Sequence, residues 1–403
     1  MIDLLNLTLE ELTAFVRDDL GQPPFRAKQL WKWLWSKRAR SFADMSDLSL
    51  QLRSTLEERA VITWPEIADT QTSKDGTVKF LLRLADGESV ETVLIPSESR
   101  EGKSRMTQCL SCQVGCVMGC TFCSTGCMGF TRNMSMSEIL GQILVAQDYL
   151  GDSRDNPRLR NLVFMGMGEP LLNLREVMRA LATLNSEPGL SFSPRRITVS
   201  TCGLEQGLAE LGASGLAYLA VSLHAPNQDL RARIMPKAAR WPLDDLMRAL
   251  RAYPLKTRER LTFEYLLLGG VNDSLSEARE LARLMAHVKG KLNLILYNPA
   301  EGAPYKAPEP ETVLAFEKYL WGKNITATVR KSKGLDINAA CGQLKAAKIG
   351  SGSFCRDTSS GLLCATGQDQ KSPAPSPKAA PSSSGDKMSH YPKIASANCG
   401  AQA

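Results

Sequence analysis

The chain has 403 residues, 11 cysteines and a formal net charge of +7, and this length predicts two or three domains around a large core. The mild positive charge favours a phosphate-bearing partner, although so small an excess is also typical of an ordinary solvated surface. No apolar run approaches the roughly 20 residues of a membrane span, and the opening MIDLLNLTLEEL lacks the regions of a signal peptide. We therefore expect a soluble, cytoplasmic protein with reduced cysteines, not a membrane protein or a secreted disulfide framework.

Residues 1–64 have the pattern of a helical module. Thr8 is a candidate N-cap with Glu11 three residues later, which is the spacing of a capping box. The segment LEELTAFVRDDL then carries apolar residues at helical spacing as far as Gly21. Pro23 and Pro24 precede a second helical segment, FRAKQLWKWLWSKRARSF. We predict an N-terminal helical accessory domain over residues 1–64.

The second predicted helix combines tryptophans with basic residues. Trp31 and the apolar residues near it form a stripe, and such a stripe is more often part of a core than a platform for a ligand. The basic residues are dense enough to grip the phosphates of an RNA, and a plain solvated face explains them equally well. These residues are Arg26, Lys28, Lys32, Lys37, Arg38 and Arg40.

Residues 65–101 change to the spacing of strands. The stretch TVKFLLRLADGESVETVLIP has short alternating runs on either side of Asp86-Gly87, a strong hairpin signal. Glu91 falls in the second run, and composition alone would leave such a strand carboxylate facing solvent. The charged SESREGKSR that follows is typical of a mobile loop. We predict a small β extension that leads into the next domain.

The run CLSCQVGCVMGCTFCSTGC, residues 109–127, concentrates six of the 11 cysteines. Cys116, Cys120 and Cys123 form a C-x3-C-x2-C triplet with glycines between them, which suits a loop wrapped closely round an inorganic cluster. Iron–sulfur cubanes usually take four thiolates. A compact triplet would therefore leave one iron open for another ligand.

A structural zinc site is the main alternative for this run. Cys109-x2-Cys112 and Cys120-x2-Cys123 are two CxxC pairs, as in a zinc ribbon. Their separation is shorter than the roughly 15 to 20 residues expected of a ribbon, and zinc gives no role to Cys116. The spacing favours the iron–sulfur cluster.

From the cysteine run to residue 346 short apolar strands alternate with amphipathic helices. Ser135 begins the first helix, with Glu138 as its capping-box partner. About six βα units in series predict an α/β fold whose parallel sheet forms a partial (βα)6 barrel over residues 102–346. The strand candidates are 161–167, 196–201, 217–223, 261–268, 292–297 and 325–330.

Polar residues follow several of these strands, at the edge of a parallel sheet where sites gather. Any one of them is weak, because a lone serine or histidine at a strand end is usually a turn residue. Together they predict a pocket for a polar, charged cofactor. They are Gly166, Gly168, Glu169, Pro170, Ser200, Thr201, Ser222, Leu223, His224 and Asn298.

The C-terminal segment, residues 347–403, is rich in Ser, Pro, Gly and Ala. This composition predicts a disordered tail, because it offers little apolar surface to bury. Its Cys355, Cys364, Cys399 and His390 have no assigned role.

Eight motifs together resemble the RlmN group of dual-specificity RNA methyltransferases, members of the radical S-adenosylmethionine (SAM) superfamily. The resemblance spans residues 5 to 346 and implies a partial (βα)6 TIM-like radical SAM barrel with the helical accessory domain and β extension described above. The motifs are FRAKQLWKW, VETVLIP, CQVGCVMGCTFCSTG, MGMGEPLLN, SLHAPN, FEYLLLGGVND, NPAEGAPY and RKSKGLDINAACGQL.

The resemblance implies a role for each matching residue. Cys116, Cys120 and Cys123 would bind one 4Fe–4S cluster with SAM on the open iron, and two SAM would be used per turnover. Cys341 matches the family's methyl-carrying cysteine, Cys109 its resolving cysteine and Glu91 its general base. The SAM site would be lined by Gly168, Glu169, Ser200, Ser222, Leu223, His224 and Asn298.

The implied reaction is methylation of adenine carbon 2, which has no nucleophile of its own and needs a radical route. The family's substrates are an adenosine of 23S rRNA in the peptidyl-transferase centre and the adenosine 3' of the anticodon in tRNA. An electron donor such as flavodoxin or ferredoxin would supply electrons, and we expect a monomer. The alternatives are carbon-8 methylation by a related resistance-type enzyme and a non-catalytic, zinc-stabilised RNA-binding protein.

Three cysteines lie beside the matching positions without an assigned function. Cys112 stands where the family commonly has serine, and Cys127 lies four residues past the triplet. Each could be inert, an adventitious ligand or a wrong disulfide partner for Cys109, and we favour inert residues. Cys202 sits beside the SAM-site residues, where packing is the simpler interpretation.

Overall fold

The computed structural model describes residues 1–98, 104–152, 158–299 and 304–344. The tail predicted at 347–403, with Cys355, Cys364, Cys399 and His390, lies outside the described residues, and so does most of the loop predicted after residue 96. None of the described helices combines the length and the hydropathy needed to cross a bilayer.

The N-terminal segment is helical, as its pattern predicts. The Thr8 hydroxyl accepts a hydrogen bond from the Glu11 backbone at 3.3 Å, and the Glu11 carboxylate accepts one from the Thr8 N–H at 2.8 Å, so the predicted capping box is confirmed. Two short strands, β1 (Ile2–Asp3) and β2 (Ala60–Val61), pair in parallel and close the segment on itself. The helices are α1 (Leu9–Ala14), α2 (Phe25–Trp31) and α3 (Leu50–Arg59); π-helical turns at Phe15–Asp19 and Lys32–Ser36 extend the first two.

The tryptophans of this segment belong to its core. Trp31 and Trp35 are each 1% exposed, and their rings meet edge to face with centroids 5.7 Å apart. Part of the neighbouring basic cluster is engaged within the protein: Arg38 donates to the Asp152 carbonyl at 2.8 Å, and Arg40 pairs with Asp148 at 2.7 Å. Arg40 nevertheless stays exposed to solvent, as do Lys28, Lys32 and Lys37.

One sheet of ten strands forms the centre of the protein. In spatial order it runs β14, β13, β12, β11, β10, β9, β6, β5, β4, β3, and it is parallel from β6 to β14. The bounds are β3 Glu66–Thr72, β4 Val78–Arg83, β5 Ser89–Glu98, β6 Ser104–Cys109, β7 Gln113–Gly115, β8 Phe130–Asn133, β9 Leu159–Phe164, β10 Ile197–Thr201, β11 Tyr218–Ser222, β12 Leu261–Leu267, β13 Gly290–Leu296 and β14 Ala327–Arg330.

Helices follow the parallel strands and cover them, as the alternating pattern predicts. Ser135 and Glu138 form the predicted capping box at the start of α5, whose residues from Met136 to Ala146 are almost all buried. The helices are α4 Ser124–Cys127, α5 Met136–Tyr149, α6 Leu174–Asn185, α7 Glu205–Ser214, α8 Gln228–Ile234, α9 Leu243–Ala252, α10 Leu275–Met285 and α11 Pro310–Trp321.

The predicted β extension continues the central sheet. β4 and β5 pair antiparallel around Asp86-Gly87, which confirms the hairpin. β5 then pairs antiparallel with β6, where Val93 lies opposite Cys109. β6 is also a seventh parallel strand that the list of strand candidates lacks, because its sequence SRMTQC is mostly polar. The domain boundaries at residues 64 and 101 stay a prediction.

Candidate active site

The carboxyl ends of the parallel strands surround one cavity with a volume of about 150 Å³. Most of the predicted site residues line it: Cys116, Cys120, Cys123, Gly168, Glu169, Ser200, Ser222, His224 and Cys341. Leu223, Asn298, Cys109 and Glu91 do not line it, and their positions are given below.

The triplet cysteines share one wall of this cavity. Burial raises the pKa of all three thiols, for Cys116 to about 12, and a charge on Cys123 raises the pKa of both Cys116 and Cys120 further. Groups that repel each other in this way lie close together. A metal centre that binds thiolates would therefore have to displace their protons here.

The arrangement of the thiols fits a cubane better than a single ion. Among the residues that the structure describes, no three His, Cys, Asp or Glu side chains converge as one metal ion requires. A zinc ion gathers four ligands at roughly 2.0 to 2.3 Å, whereas a cubane takes each thiolate on a separate iron. Three thiols that line one cavity without converging on a single point match the second pattern.

Contacts from three other elements fix the cysteine loop. The Cys116 N–H donates to the Gly129 carbonyl at 2.7 Å, and the Thr121 N–H donates to the carbonyl of Ile234 in α8 at 3.0 Å. The Ser124 N–H donates to the Gly342 carbonyl at 2.7 Å. The last bond joins the triplet directly to the residue that follows Cys341.

Gly168 and Glu169 sit where the chain leaves β9. Gly168 has φ +106°, and a Cβ there would lie 2.6 Å from the Gln113 side chain, so only glycine fits. The Glu169 carboxylate accepts the Cys202 N–H at 2.8 Å and the Leu171 N–H at 3.1 Å. Burial nevertheless raises the pKa of Glu169. A buried carboxylate of this kind at the cavity wall suits an ammonium group.

Ser200, Ser222 and His224 follow on the next two strands. The two serine hydroxyls are 3.4 Å apart. His224 adopts φ +54°, its Nδ1 accepts the Leu266 N–H at 3.0 Å, and its ring meets Phe122 edge to face. Burial lowers the pKa of His224 to about 3, so the imidazole is neutral. The neutral His224 ring packs against Phe122, the residue that precedes Cys123.

Leu223 and Asn298 lie beside the cavity and do not line it. Leu223 is fully buried, and its N–H donates to the Glu264 carbonyl at 3.0 Å. The Asn298 side-chain amide donates to the Ser332 hydroxyl at 2.7 Å, and the Asn298 backbone carbonyl accepts from the Gln343 side-chain amide at 3.2 Å. Asn298 thus fastens both ends of the segment that carries Cys341.

Cys341 lies at the cavity mouth. The segment that carries it is also bound by the turn between β3 and β4. The Asp75 carboxylate accepts the Gly334 N–H at 3.0 Å, and Asp336 accepts the Lys74 N–H at 3.2 Å. Cys341 is exposed, yet the protein groups packed round its sulfur raise the pKa of the thiol. The β extension therefore helps to position this cysteine.

Removing the Asp75 carboxylate should loosen the Cys341 segment. Burial alone would raise the pKa of Asp75, but hydrogen bonds from Thr77 and Gly334 outweigh it and lower the pKa from 3.8 to about 2. The contact therefore stabilises the fold above the ordinary pKa and is lost as pH falls towards 2. We expect Asp75→Ala to speed amide hydrogen exchange at Gly334 at neutral pH, measured by mass spectrometry.

The matched control for that experiment is Asp69→Ala, which removes an equal charge from an exposed position on β3. It should leave exchange at Gly334 unchanged. Equal exchange rates in the wild type and Asp75→Ala would show that the turn does not hold the segment.

Cys109 and Glu91 lie on one face of the sheet. Cys109 is opposite Val93 in the register of β5 and β6, and Glu91 is two residues before Val93. Burial raises the pKa of the Cys109 thiol, and a charge on Cys341 raises it further, so the two sulfurs are near each other. Both are free thiols. Their pairing in a disulfide stays a prediction.

Glu91 is buried, at 5% exposed, so the solvent-facing position suggested by composition alone is wrong. Its Oε1 lies 3.1 Å from the Lys79 Nζ on the adjacent strand, and both side chains are almost fully covered.

Cys112 is also buried, and it does not line the cavity, whereas Cys202 lines it and packs against Glu169.

The sequence patterns missed two charged residues beside the cavity. Glu264 is 3% exposed and lines it; its Oε1 accepts from Asn293 at 2.8 Å, while Oε2 has no hydrogen-bond partner among the described residues. Arg231 lies behind the cysteine loop with no exposed surface. A glutamate inside the apolar run LTFEYLLL was the one available signal, and nothing marks Arg231 among the arginines of α8.

Two segments of the chain match known families. Residues 2–62 match the ribosomal RNA large subunit methyltransferase N-terminal domain, and residues 110–284 match the radical SAM superfamily. A dual-specificity RNA methyltransferase RlmN from Nitratidesulfovibrio vulgaris (strain DP4) is 73% identical over 350 residues, 87% of this chain and 96% of the relative. The relative of the same name from Lawsonia intracellularis (strain PHE/MN1-00) is 56% identical over 346 residues, 86% of this chain and 97% of the relative.

A solved structure supports the same assignment. The crystal structure of a radical SAM methyltransferase from Sphaerobacter thermophilus is 42% identical, with a TM-score of 0.80, and the match covers 86% of this chain and 100% of that one. The predicted partial barrel is therefore confirmed. The chain belongs to the RlmN family of dual-specificity RNA methyltransferases, within the radical SAM superfamily.

Proposed function

We propose that this enzyme methylates carbon 2 of an adenosine in the peptidyl-transferase centre of 23S rRNA and of the adenosine 3' of the anticodon in tRNA. The observation that carries the proposal is the cavity that Cys341 shares with Cys116, Cys120 and Cys123. It would bring a methyl-carrying sulfur beside the place where a radical is made. The names of the relatives, dual-specificity RNA methyltransferases, support two classes of RNA substrate.

The triplet would hold one 4Fe–4S cluster, and the neighbouring strand ends would hold SAM. When bound, the reduced cluster supplies the electron that cleaves SAM to methionine and a 5'-deoxyadenosyl radical. Glu169 would accept from the SAM ammonium, and Ser200 and Ser222 would bind its hydroxyls, because all three line the cavity. Gly168 keeps the wall open there, since no side chain fits at that position.

Each remaining residue handles one step at a stated atom. The Cys341 sulfur would take a methyl group from one SAM, and that methyl group would lose a hydrogen atom to the radical made from a second SAM and bond to carbon 2. The unpaired electron left on the ring by this addition would pass to a one-electron acceptor, such as the oxidised form of the electron-donor protein. Glu91 removes the carbon-2 proton as general base. The Cys109 thiolate then attacks the Cys341 sulfur and forms a Cys109–Cys341 disulfide, and the carbon that leaves takes up a proton to become the methyl group of the released RNA. A reductant must open the disulfide before the next turnover.

The adenine must leave its stack to reach such a cavity, as in other enzymes that act on bases. The exposed lysines of the N-terminal module, Lys28, Lys32 and Lys37, would contact RNA phosphates. We propose that the enzyme works as a monomer in the cytoplasm, where its RNA substrates are, with electrons from a flavodoxin or a ferredoxin.

Mass spectrometry of nucleosides tests the proposed product. The full-length enzyme, reconstituted under anaerobic conditions, is incubated with SAM, a reductant and either 23S rRNA fragments or tRNA. We expect 2-methyladenosine from both RNAs. Formation of 8-methyladenosine would assign the carbon-8 reaction instead, and no methylated adenosine from a cluster-loaded enzyme would contradict the proposal.

Replacing Cys109 by alanine should stop the reaction after carbon–carbon bond formation. Without the attacking thiolate the RNA stays joined to Cys341, so we expect a covalent protein–RNA adduct and at most about one turnover. A denaturing gel with labelled RNA measures the adduct. Cys355→Ala, in a segment without an assigned role, is the control and should release product normally. Normal turnover by Cys109→Ala would remove its resolving role.

A further inference from the structure

Arg231 is a fully buried cation whose hydrogen bonds go to three backbone carbonyls and the thioether sulfur of Met235, none of which carries a charge. Its guanidinium donates to the Leu223 carbonyl at 2.8 Å, the Ser222 carbonyl at 3.4 Å and the Cys202 carbonyl at 2.5 Å. The Nε–H is buried without a hydrogen-bond partner, and no carboxylate in the described ranges forms an ion pair with Arg231. The described contacts therefore leave its charge uncompensated at contact distance.

Such a charge is costly to bury. A guanidinium keeps its proton in proteins, and an ion that leaves water without an opposite charge loses several kcal/mol of hydration. Carbonyl dipoles recover part of this loss but leave the net charge in place. Glu169, a buried carboxylate whose charge acts on Arg231, already accepts two backbone N–H groups, one of them from Cys202. The site therefore favours an additional anion beside Arg231.

The position of α8 shows where that anion would be. The carbonyl of Ile234, three residues after Arg231, accepts the N–H of Thr121, which lies between two triplet cysteines. Met118 of the loop packs with Ile234 and Met235 in one apolar cluster. Burial raises the pKa of Cys120, and the charge of Arg231 acts against that rise. Arg231 thus lies next to the cysteine loop, on the side of the loop away from the cavity.

We propose that Arg231 is a positioning residue that compensates the negative charge of the iron–sulfur cluster and raises its reduction potential. This inference depends on the proposed function, because it requires the cluster. Three thiolates outweigh the charge of the cubane core, so the assembly is anionic, and one-electron reduction adds a further negative charge. Net charge around a cluster is one of the factors that set its potential, and a buried cation stabilises the reduced form more than the oxidised form.

A purely structural role is the competing explanation. The same three hydrogen bonds join the ends of β10 and β11, so Arg231 could simply fasten two strands. Arg231→Gln keeps a hydrogen-bond donor and removes the charge, whereas Arg231→Lys keeps the charge and loses the forked geometry. Arg233→Gln is a matched control, because it removes an equal charge from an exposed position on the same helix.

The test is a redox titration of the reconstituted full-length enzyme, followed by electron paramagnetic resonance. At a fixed potential we expect the reduced-to-oxidised ratio in Arg231→Gln to fall about tenfold, which is a shift of about 59 mV for one electron. Arg231→Lys and Arg233→Gln should stay within about twofold of the wild type. A similar shift in the Lys and Gln variants, or none in Gln, would overturn the proposal.

Stability gives a second readout that does not need electron transfer. Loading the cluster should raise the Tm of the wild type more than that of Arg231→Gln, because only the wild type has a buried cation to compensate. An equal gain in both proteins would contradict the inference. If Arg231→Gln does not fold, Arg231→Met takes its place in the titration, where a fall of about tenfold supports the inference and an unchanged ratio contradicts it. A wild type that binds no cluster would instead refute the proposed function.

Discussion

Replacing Cys120 by alanine should remove the iron–sulfur cluster and every activity that depends on it. The remaining two thiolates cannot complete a site that already has only three, so we expect iron and sulfide to fall from about four of each per chain to a small fraction of that. SAM cleavage and RNA methylation should both drop below detection. Metal and sulfide analysis, visible absorption and the yield of 5'-deoxyadenosine measure the effect.

Cys112→Ser is the matched control for this substitution. Cys112 is buried in the same cysteine run and does not line the cavity, and serine replaces its thiol by a hydroxyl of similar size. This variant should bind the cluster and cleave SAM like the wild type. Full cluster content in Cys120→Ala would contradict the ligand assignment. A wild type with one zinc and no iron would instead support the structural zinc site.

Local signals in the sequence were enough to predict the frame of the protein. Two capping boxes and the Asp86-Gly87 hairpin form as predicted, because each depends only on residues a few positions apart. Alternating strands and helices also predicted the parallel sheet. The strand β6 was not predicted, because buried polar residues such as Gln108 interrupt the apolar pattern of a strand. The Gln108 side-chain amide donates to the Thr92 hydroxyl at 3.1 Å and to the Gln142 carbonyl at 2.8 Å.

Tertiary contacts decided what the sequence patterns could not. The buried Glu91 pairs with Lys79 of β4, which lies diagonally across the strand pair because Leu81 is the residue directly opposite Glu91, and no spacing along the chain reveals that pair. The bond between Asp75 and the Gly334 N–H joins residues 259 positions apart. The cysteine triplet, by contrast, is compact in sequence, and the structure places its three members in one cavity wall. Motifs whose residues are close together in the sequence could therefore be predicted, whereas the distant residues that contact and support them could not.

Replacing Cys341 by alanine should separate SAM cleavage from RNA methylation. The triplet and the residues proposed to bind SAM lie on other elements, so the cluster and 5'-deoxyadenosine formation should persist. Methylation should fall by about 10³-fold or more, the scale seen when a covalent nucleophile is removed. The rate of 2-methyladenosine formation, compared with that of 5'-deoxyadenosine in the same reaction, measures the separation.

The structure also limits how this result can be explained. The Gly342 carbonyl accepts the Ser124 N–H at 2.7 Å, so a change at Cys341 could disturb the cysteine loop through the backbone. Loss of the cluster in Cys341→Ala would therefore point to a structural role for residue 341. Retained methylation with an intact cluster would instead move the methyl-carrying group elsewhere. Three results in Cys341→Ala are needed together to place the transferred carbon on the Cys341 sulfur: an intact cluster, continued SAM cleavage and lost methylation. This combination shows that the substitution removed the sulfur and left the rest of the cavity working.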